Sequence, residues 1–121
     1  MLKHEELIRR IEKSLAFWGT HTLGDLREDL DADRVRAFMG EHGVWMAQVC
    51  DHPQKRLLNV CLLAGELPGV MDVQKQVEDF AVRMNCDLVV APHVRFGLKD
   101  VFKKTGWQVK GYNMSLPLTG D

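Results

Sequence analysis

The hydrophobic positions of this chain follow a helical period first and a strand period later. Between residues 4 and 18, Leu7, Ile8, Ile11, Leu15 and Trp18 recur every three or four residues and predict an amphipathic helix. Glu5 with Arg9 and Glu6 with Arg10 make i,i+4 pairs on its polar side, and Gly19 ends it. Thr22 is placed to cap a second, shorter helix carrying Leu23, Leu26 and Leu30. Residues 31–39 read as a third helix, with Val35, Phe38 and Met39 turned inward.

The period changes at Gly43. "VWMAQV" (residues 44–49) and "RLLNVCLLAG" (residues 56–65) have strand composition, and the polar turn "DHPQK" joins them as a β-hairpin. A long helix follows, with Val70, Val73, Val77, Phe80, Ala81 and Met84 on one face and Asn85 as its C-terminal cap. "DLVVA" (residues 87–91) is a short strand stopped by Pro92. Strand, helix and strand in this order form a βαβ unit, so the strands at 56–65 and 87–91 should run parallel. Residues 95–104 give another short helix through Phe96, Leu98, Val101 and Phe102, and residues 107–118 a last strand. The fold class is therefore α/β with a mixed sheet.

The 121 residues suffice for one domain with a single core. A net charge of −1 supplies no broad basic field for nucleic acid or an anionic membrane. No apolar run approaches the roughly 20 residues that span a bilayer. "MLKHEELIRRIEKSL" is charged throughout and lacks the apolar segment of a secretion signal. Cys50, Cys61 and Cys86 fit no metal or redox spacing and read as reduced, buried thiols. The five histidines form no metal-binding pattern, and neither a P-loop nor a GxSxG motif is present, so no metal is expected.

The order of elements, with "GW" (Gly106-Trp107) closing a short helix before the final strand, resembles the GNAT acetyltransferase fold. The resemblance is closer to small phage-encoded GNAT-like proteins. In those a helical lead-in precedes a Trp-bearing strand, like Val44-Trp45-Met46, and a strand ending like Ala64-Gly65. A helix then closes as Ala81 through Asn85-Cys86 does, and an Arg-aromatic-Gly segment, like Arg95-Phe96-Gly97, leads to "GW". The resemblance spans about residues 22–118. It divides the chain into an N-terminal helical arm, residues 1–19, and a GNAT-like domain, residues 20–121, within one folded unit.

What the resemblance implies about chemistry can be followed residue by residue. Active members bind the pyrophosphate of acetyl-CoA with R/Q-x-x-G-x-G/A between a strand and the next helix. Residues 66–71, "ELPGVM", occupy that place, which makes the backbone of Gly69, Val70, Met71, Asp72 and Val73 the implied cofactor-binding segment. Gly69 matches, Glu66 stands where Arg or Gln belongs, and Met71 replaces a small residue. Pro68 removes an N–H donor. A carboxylate about 4 Å from a phosphate charge costs roughly 1–4 kcal/mol for effective dielectrics from about 80 down to 20. The position of the family's proton-returning tyrosine holds Phe102, and the single tyrosine, Tyr112, falls elsewhere. Glu41, His42, His52 and His93 are the candidate bases. His93 ranks first because it follows the strand that borders the acyl-CoA cleft in the family, and a charged Arg95 nearby would lower its pKa. The plainer reading of these histidines is solvated loop residues, and of Trp45 and Trp107 core.

Three functions are compatible with this pattern, the plainest being a small host-interaction protein on the same fold. Another is a GNAT-fold phage protein with a degenerate acetyl-CoA loop, non-catalytic and virion- or assembly-associated. It would need no cofactor, contact a protein partner such as a phage structural protein through its N-terminal helix, and reside in the host cytoplasm or the virion. The alternative is an acetyl-CoA-dependent N-acetyltransferase with an atypical pyrophosphate loop. Homo-oligomerisation is open in all three.

Overall fold

The computed structural model describes residues 4–18, 21–41, 43–66, 73–92, 100, 102–111 and 114–118. Helices α1 (His4–Trp18) and α2 (Leu23–Asp31) come first, followed by strands β1 (Arg36–Met39), β2 (Gly43–Asp51) and β3 (Arg56–Gly65), helix α3 (Gln74–Arg83) and strand β4 (Leu88–Val90). The four strands form one sheet in the order β1-β2-β3-β4. The first three are antiparallel and β4 runs parallel to β3, as a βαβ crossover requires. Asp87 locks the parallel pair, its carboxylate accepting from the Arg56 N–H at 2.9 Å and its own N–H donating to the Arg56 carbonyl at 2.7 Å.

One slip in the β2–β3 ladder organises both faces of this sheet. Met46 pairs with Leu62 and Ala47 with Val60, so Cys61 is an extra residue on β3. Side chains alternate faces along a regular strand, and one inserted residue inverts that alternation. Leu58 and Val60 therefore join Phe38, Trp45, Ala47, Val73, Val77, Phe80, Ala81 and Phe102 in a core under α3. Leu62 and Ala64 join Ile11, Leu15, Leu26, Val35, Val44 and Met46 in a second core under α1 and α2. The Cys61 thiol donates to the Met46 carbonyl across the bulge at 3.4 Å.

Helix α2 begins as expected. The Thr22 hydroxyl accepts from the Asp25 N–H at 3.1 Å, and the Asp25 carboxylate accepts from the Thr22 N–H at 2.8 Å. Those bonds from Thr22 hold the Asp25 carboxyl below its ordinary pKa. Leu26 is buried, whereas Leu23 is exposed.

The expected helix over residues 31–39 is not formed. Helix α2 runs to Asp31, Asp33 takes a left-handed conformation at φ 57°, and the chain turns into β1. The Arg34 guanidinium, 2.8 Å from the Asp29 carboxylate, and the Arg34 N–H, 2.9 Å from the Asp29 carbonyl, close that turn. Val35 and Phe38 are both buried, but on opposite faces of the sheet. A spacing of three places two residues on one face of a helix and on opposite faces of a strand, so the pattern fits both. Pairing with β2 selects the strand, and Met39, expected inside, is exposed.

Helix α3 ends in a Schellman motif. The Cys86 N–H donates to the Ala81 carbonyl at 2.9 Å and the Asn85 N–H to the Val82 carbonyl at 3.1 Å, with Asn85 at φ 58°. The residue placed as the cap is thus the left-handed residue just beyond it. The expected last strand, residues 107–118, is not found: residues 107–111 and 114–118 are described and lie outside every strand. Of the expected helix over 95–104, Asp100, Phe102 and Lys103 are described and helical. The three cysteines are free thiols, half-buried rather than fully buried. Burial raises the pKa of Cys61 and of Cys86, which keeps both thiols protonated near neutral pH.

Asn85 generates a test of the helix end. A left-handed residue with a β-carbon costs about 1–2 kcal/mol unless it is Gly, Asn or Asp. Asn85→Ala should lower the unfolding free energy from urea titration by that amount, whereas Asn85→Gly should leave it unchanged or raise it.

Candidate functional site

The strand-to-helix passage from β3 to α3 is where the resemblance places a cofactor. β3 reaches its end at Gly65, whose φ of 131° requires glycine. Gly65 pairs with Gly43 across the ladder, so the β1–β2 turn carrying Glu41 lies at the same end of the sheet. His52, in the β2–β3 turn, lies at the other end, some ten residues away along β3 or roughly 30 Å. The structure thus keeps His52 away from this passage.

Glu66 follows Gly65 directly and is held by the first helix. Arg10 of α1 donates through Nη1 to the Gly65 carbonyl at 3.3 Å. Its Nη2 lies 3.1 Å from the Glu6 carboxylate and 3.9 Å from that of Glu66. Ser14, one turn further along α1, donates to the Leu63 carbonyl at 3.5 Å. Arg10 is positioned by its helix: Ile11 and Leu15 bury the apolar face against the sheet, which aims the adjacent row at the end of β3. The apolar stripe on α1 therefore packs on its own sheet. Electrostatically, one guanidinium is shared by two carboxylates, those of Glu6 and Glu66.

Among the residues of the implied pyrophosphate segment, Val73 is described. Its side chain is fully buried in the α3 core, and its backbone, at φ −84° and ψ −19°, already has helical geometry. Gly69, Val70, Met71 and Asp72 lie outside the described residues, as do Pro68, His42, His93, Arg95 and Tyr112.

Phe102 is buried in an aromatic cluster. Its ring centroid is 5.0 Å from that of Trp107, nearly parallel to it, and 5.7 Å from that of Trp45. The two tryptophans are 6.3 Å apart. Trp45 is fully buried and Trp107 packs against the same core, so both act as core residues. Where the resemblance expects a tyrosine hydroxyl, this chain has a phenyl ring among apolar surfaces.

Sequence reasoning missed Gln74. Its side chain amide donates to the Thr105 carbonyl at 3.3 Å and its oxygen accepts from the Thr105 hydroxyl at 3.0 Å. The same hydroxyl lies 3.0 Å from the Phe102 carbonyl. This pair ties the turn bearing Phe102 and Trp107 to the first turn of α3. The signal was a polar residue three before Val77 and seven before Ala81, within an otherwise apolar helix face. Among the described residues, no three His, Cys, Asp or Glu side chains are grouped to hold a metal ion. No described helix is long and apolar enough to cross a membrane.

No family model and no curated protein matches the chain. Solved structures do match. A protein described as a probable acetyltransferase superposes with a TM-score of 0.69 at 11% identity, over 99% of this chain and 97% of its own. A Trypanosoma brucei acetyltransferase gives 0.65 at 12% identity, over 97% and 96%. Glucosamine-6-phosphate N-acetyltransferase from Arabidopsis thaliana gives 0.65 at 13% identity, over 98% and 96%. At these identities the likeness concerns the fold, and the fold is GNAT-like.

The aromatic cluster generates a test. Phe102→Tyr adds a hydroxyl where the ring is 3% exposed. An unsatisfied buried hydroxyl costs about 1–3 kcal/mol, so the urea midpoint should fall correspondingly. An unchanged midpoint would show that the hydroxyl reaches water or a partner.

Proposed function

We propose that this chain is a GNAT-fold protein that does not transfer acyl groups and works through a protein partner, as a virion- or assembly-associated component of a phage. The phage setting rests on the sequence resemblance. The observation that carries the non-catalytic half is the charge at the end of β3. Glu66 occupies the place of a phosphate-binding Arg or Gln, and the Arg10 guanidinium near it is already shared with Glu6. A pyrophosphate arriving there meets the Glu6 and Glu66 carboxylates beside a guanidinium that both already engage. Phe102 supports the same reading, because a phenyl ring returns no proton to a leaving thiolate.

The second reading is an acetyl-CoA-dependent N-acetyltransferase with an atypical loop. It is favoured by the near full-length likeness to solved acetyltransferases. In that case the backbone of Gly69, Val70, Met71, Asp72 and Val73 holds the pyrophosphate, and His93 is the candidate base. Acetyl-CoA supplies the acyl group when bound.

Isothermal titration with acetyl-CoA and with CoA separates the two. The non-catalytic protein should give no binding heat at millimolar ligand, and micromolar binding would overturn it. If binding occurs, Glu66→Gln should tighten it about tenfold, the equivalent of removing roughly 1.4 kcal/mol of repulsion. Mass spectrometry of purified particles and assembly intermediates checks the partner role, and absence from both would sink it.

A further inference from the structure

We propose that an extended acidic segment of a partner protein adds as a fifth strand to the outer edge of β1, with a carboxylate on Arg36 and Arg83. β1 has β2 as its single neighbour among the described residues. The Gly40 N–H donates to the Gly43 carbonyl at 2.9 Å, one step beyond the Met39–Val44 pair. Ladder bonds in an antiparallel pair fall on every second residue, so Phe38 and Arg36 also bond inward to β2 and Ala37 and Met39 point outward. The Met39 carbonyl agrees, because it accepts from the Gln76 side chain of α3 at 2.9 Å. The Ala37 N–H, the Ala37 carbonyl and the Met39 N–H therefore face off the sheet. Such a row is what an added strand pairs with.

The two faces of this edge differ. On the α3 face, the Arg36 guanidinium lies 4.7 Å from the Phe80 ring centroid and that of Arg83 lies 5.9 Å from the same centroid. Both arginines are exposed, and neither forms an ion pair with a carboxylate among the described residues. Asp79, one turn before Arg83, is engaged by Lys75 at 3.1 Å. Two guanidiniums held on one ring make an uncompensated positive patch. On the opposite face, Ala37 is half-buried and Met39 is 55% exposed. Residues of an added strand stand opposite those of β1 on the same faces. The edge therefore calls for an acid beside Arg36 and apolar residues beside Ala37 and Met39.

The same charges oppose a second copy as the occupant. β1 pairing with itself about a two-fold axis through Ala37 would set each Arg36 opposite the other copy's Phe38. Four guanidiniums would then share one face with no carboxylate between them. An acidic segment removes that repulsion and turns it into attraction. The proposal rests on the reading that this chain works through a protein partner, and it holds whether or not acetyl-CoA binds.

The capped peptide Val-Glu-Val-Glu-Val carries the required alternation in either strand direction. Titrated into the nitrogen-15-labelled full chain, it should shift the backbone amides of Ala37 and Met39 and saturate below millimolar concentration. Arg36→Gln combined with Arg83→Gln should weaken binding about fivefold, as the loss of two exposed ion pairs does. Replacing both glutamates of the peptide by lysine should abolish binding, and so should N-methylation of its central valine, which removes an N–H from the ladder. Unmoved Ala37 and Met39 amides at millimolar peptide overturn the proposal. Equal binding of the lysine or N-methyl peptide, or undiminished binding by the double variant, overturns it too. So does a dimer in solution that protects the Ala37 amide, which would make a second copy the occupant. Absence of the chain from purified particles, by contrast, counts against the assembly role and leaves the peptide result standing.

Discussion

The extra residue at Cys61 is the constraint on which the two-sided packing of this sheet depends. Without it, Leu58, Val60, Leu62 and Ala64 would share one face, and helices on the other would have little of β3 to pack against. With it, the first half of β3 faces α3 and the second half faces α1 and α2. Each half of an alternating strand then supplies a different core. The thiol at the slip fits this place: it is small, half-buried and kept protonated by burial, so it can donate to the Met46 carbonyl.

The same slip reaches the candidate site. Turning Leu62 and Ala64 toward α1 seats that helix on the last residues of β3, and seating α1 there brings Arg10 to Gly65 and Glu66. The electrostatics of the strand end therefore come from a helix more than fifty residues earlier in the chain. On the opposite face, Leu58 and Val60 help bury Trp45, which with Trp107 packs around Phe102. The two features on which the proposed non-catalytic reading rests, a carboxylate pair at the strand end and a ring without a proton, thus sit on opposite faces of one sheet.

Much of this architecture was legible in the sequence because it rests on local physics. The period-3.6 stripes of α1 and α3, the Thr22 and Asp25 cap, the hairpin through "DHPQK" and the left-handed Asn85 all depend on residues near one another. The failures have a different origin. Val35 and Phe38 fit a helix or a strand equally, and β2, the arbiter, lies later in the chain. Residues 107–118 have strand composition, yet a strand needs a neighbour, and composition does not supply one. At the site, Glu66 and Phe102 could be picked out by position, while Gln74 hid within an apolar helix face until Thr105 was placed beside it.

By itself, the sequence determined the types of most elements, the parallel βαβ crossover, the α/β class, and the chemical character of the key positions: an acid at 66, a proline at 68 and a phenyl ring at 102. Tertiary structure alone decided which face of the sheet each β3 residue occupies, that residues 36–39 are a strand, and that Arg10 of the first helix lies beside Glu66. The division follows the range of the forces involved. Turn chemistry, capping and amphipathic spacing act over a few residues, whereas register and ion pairing are set by partners that only folding brings together.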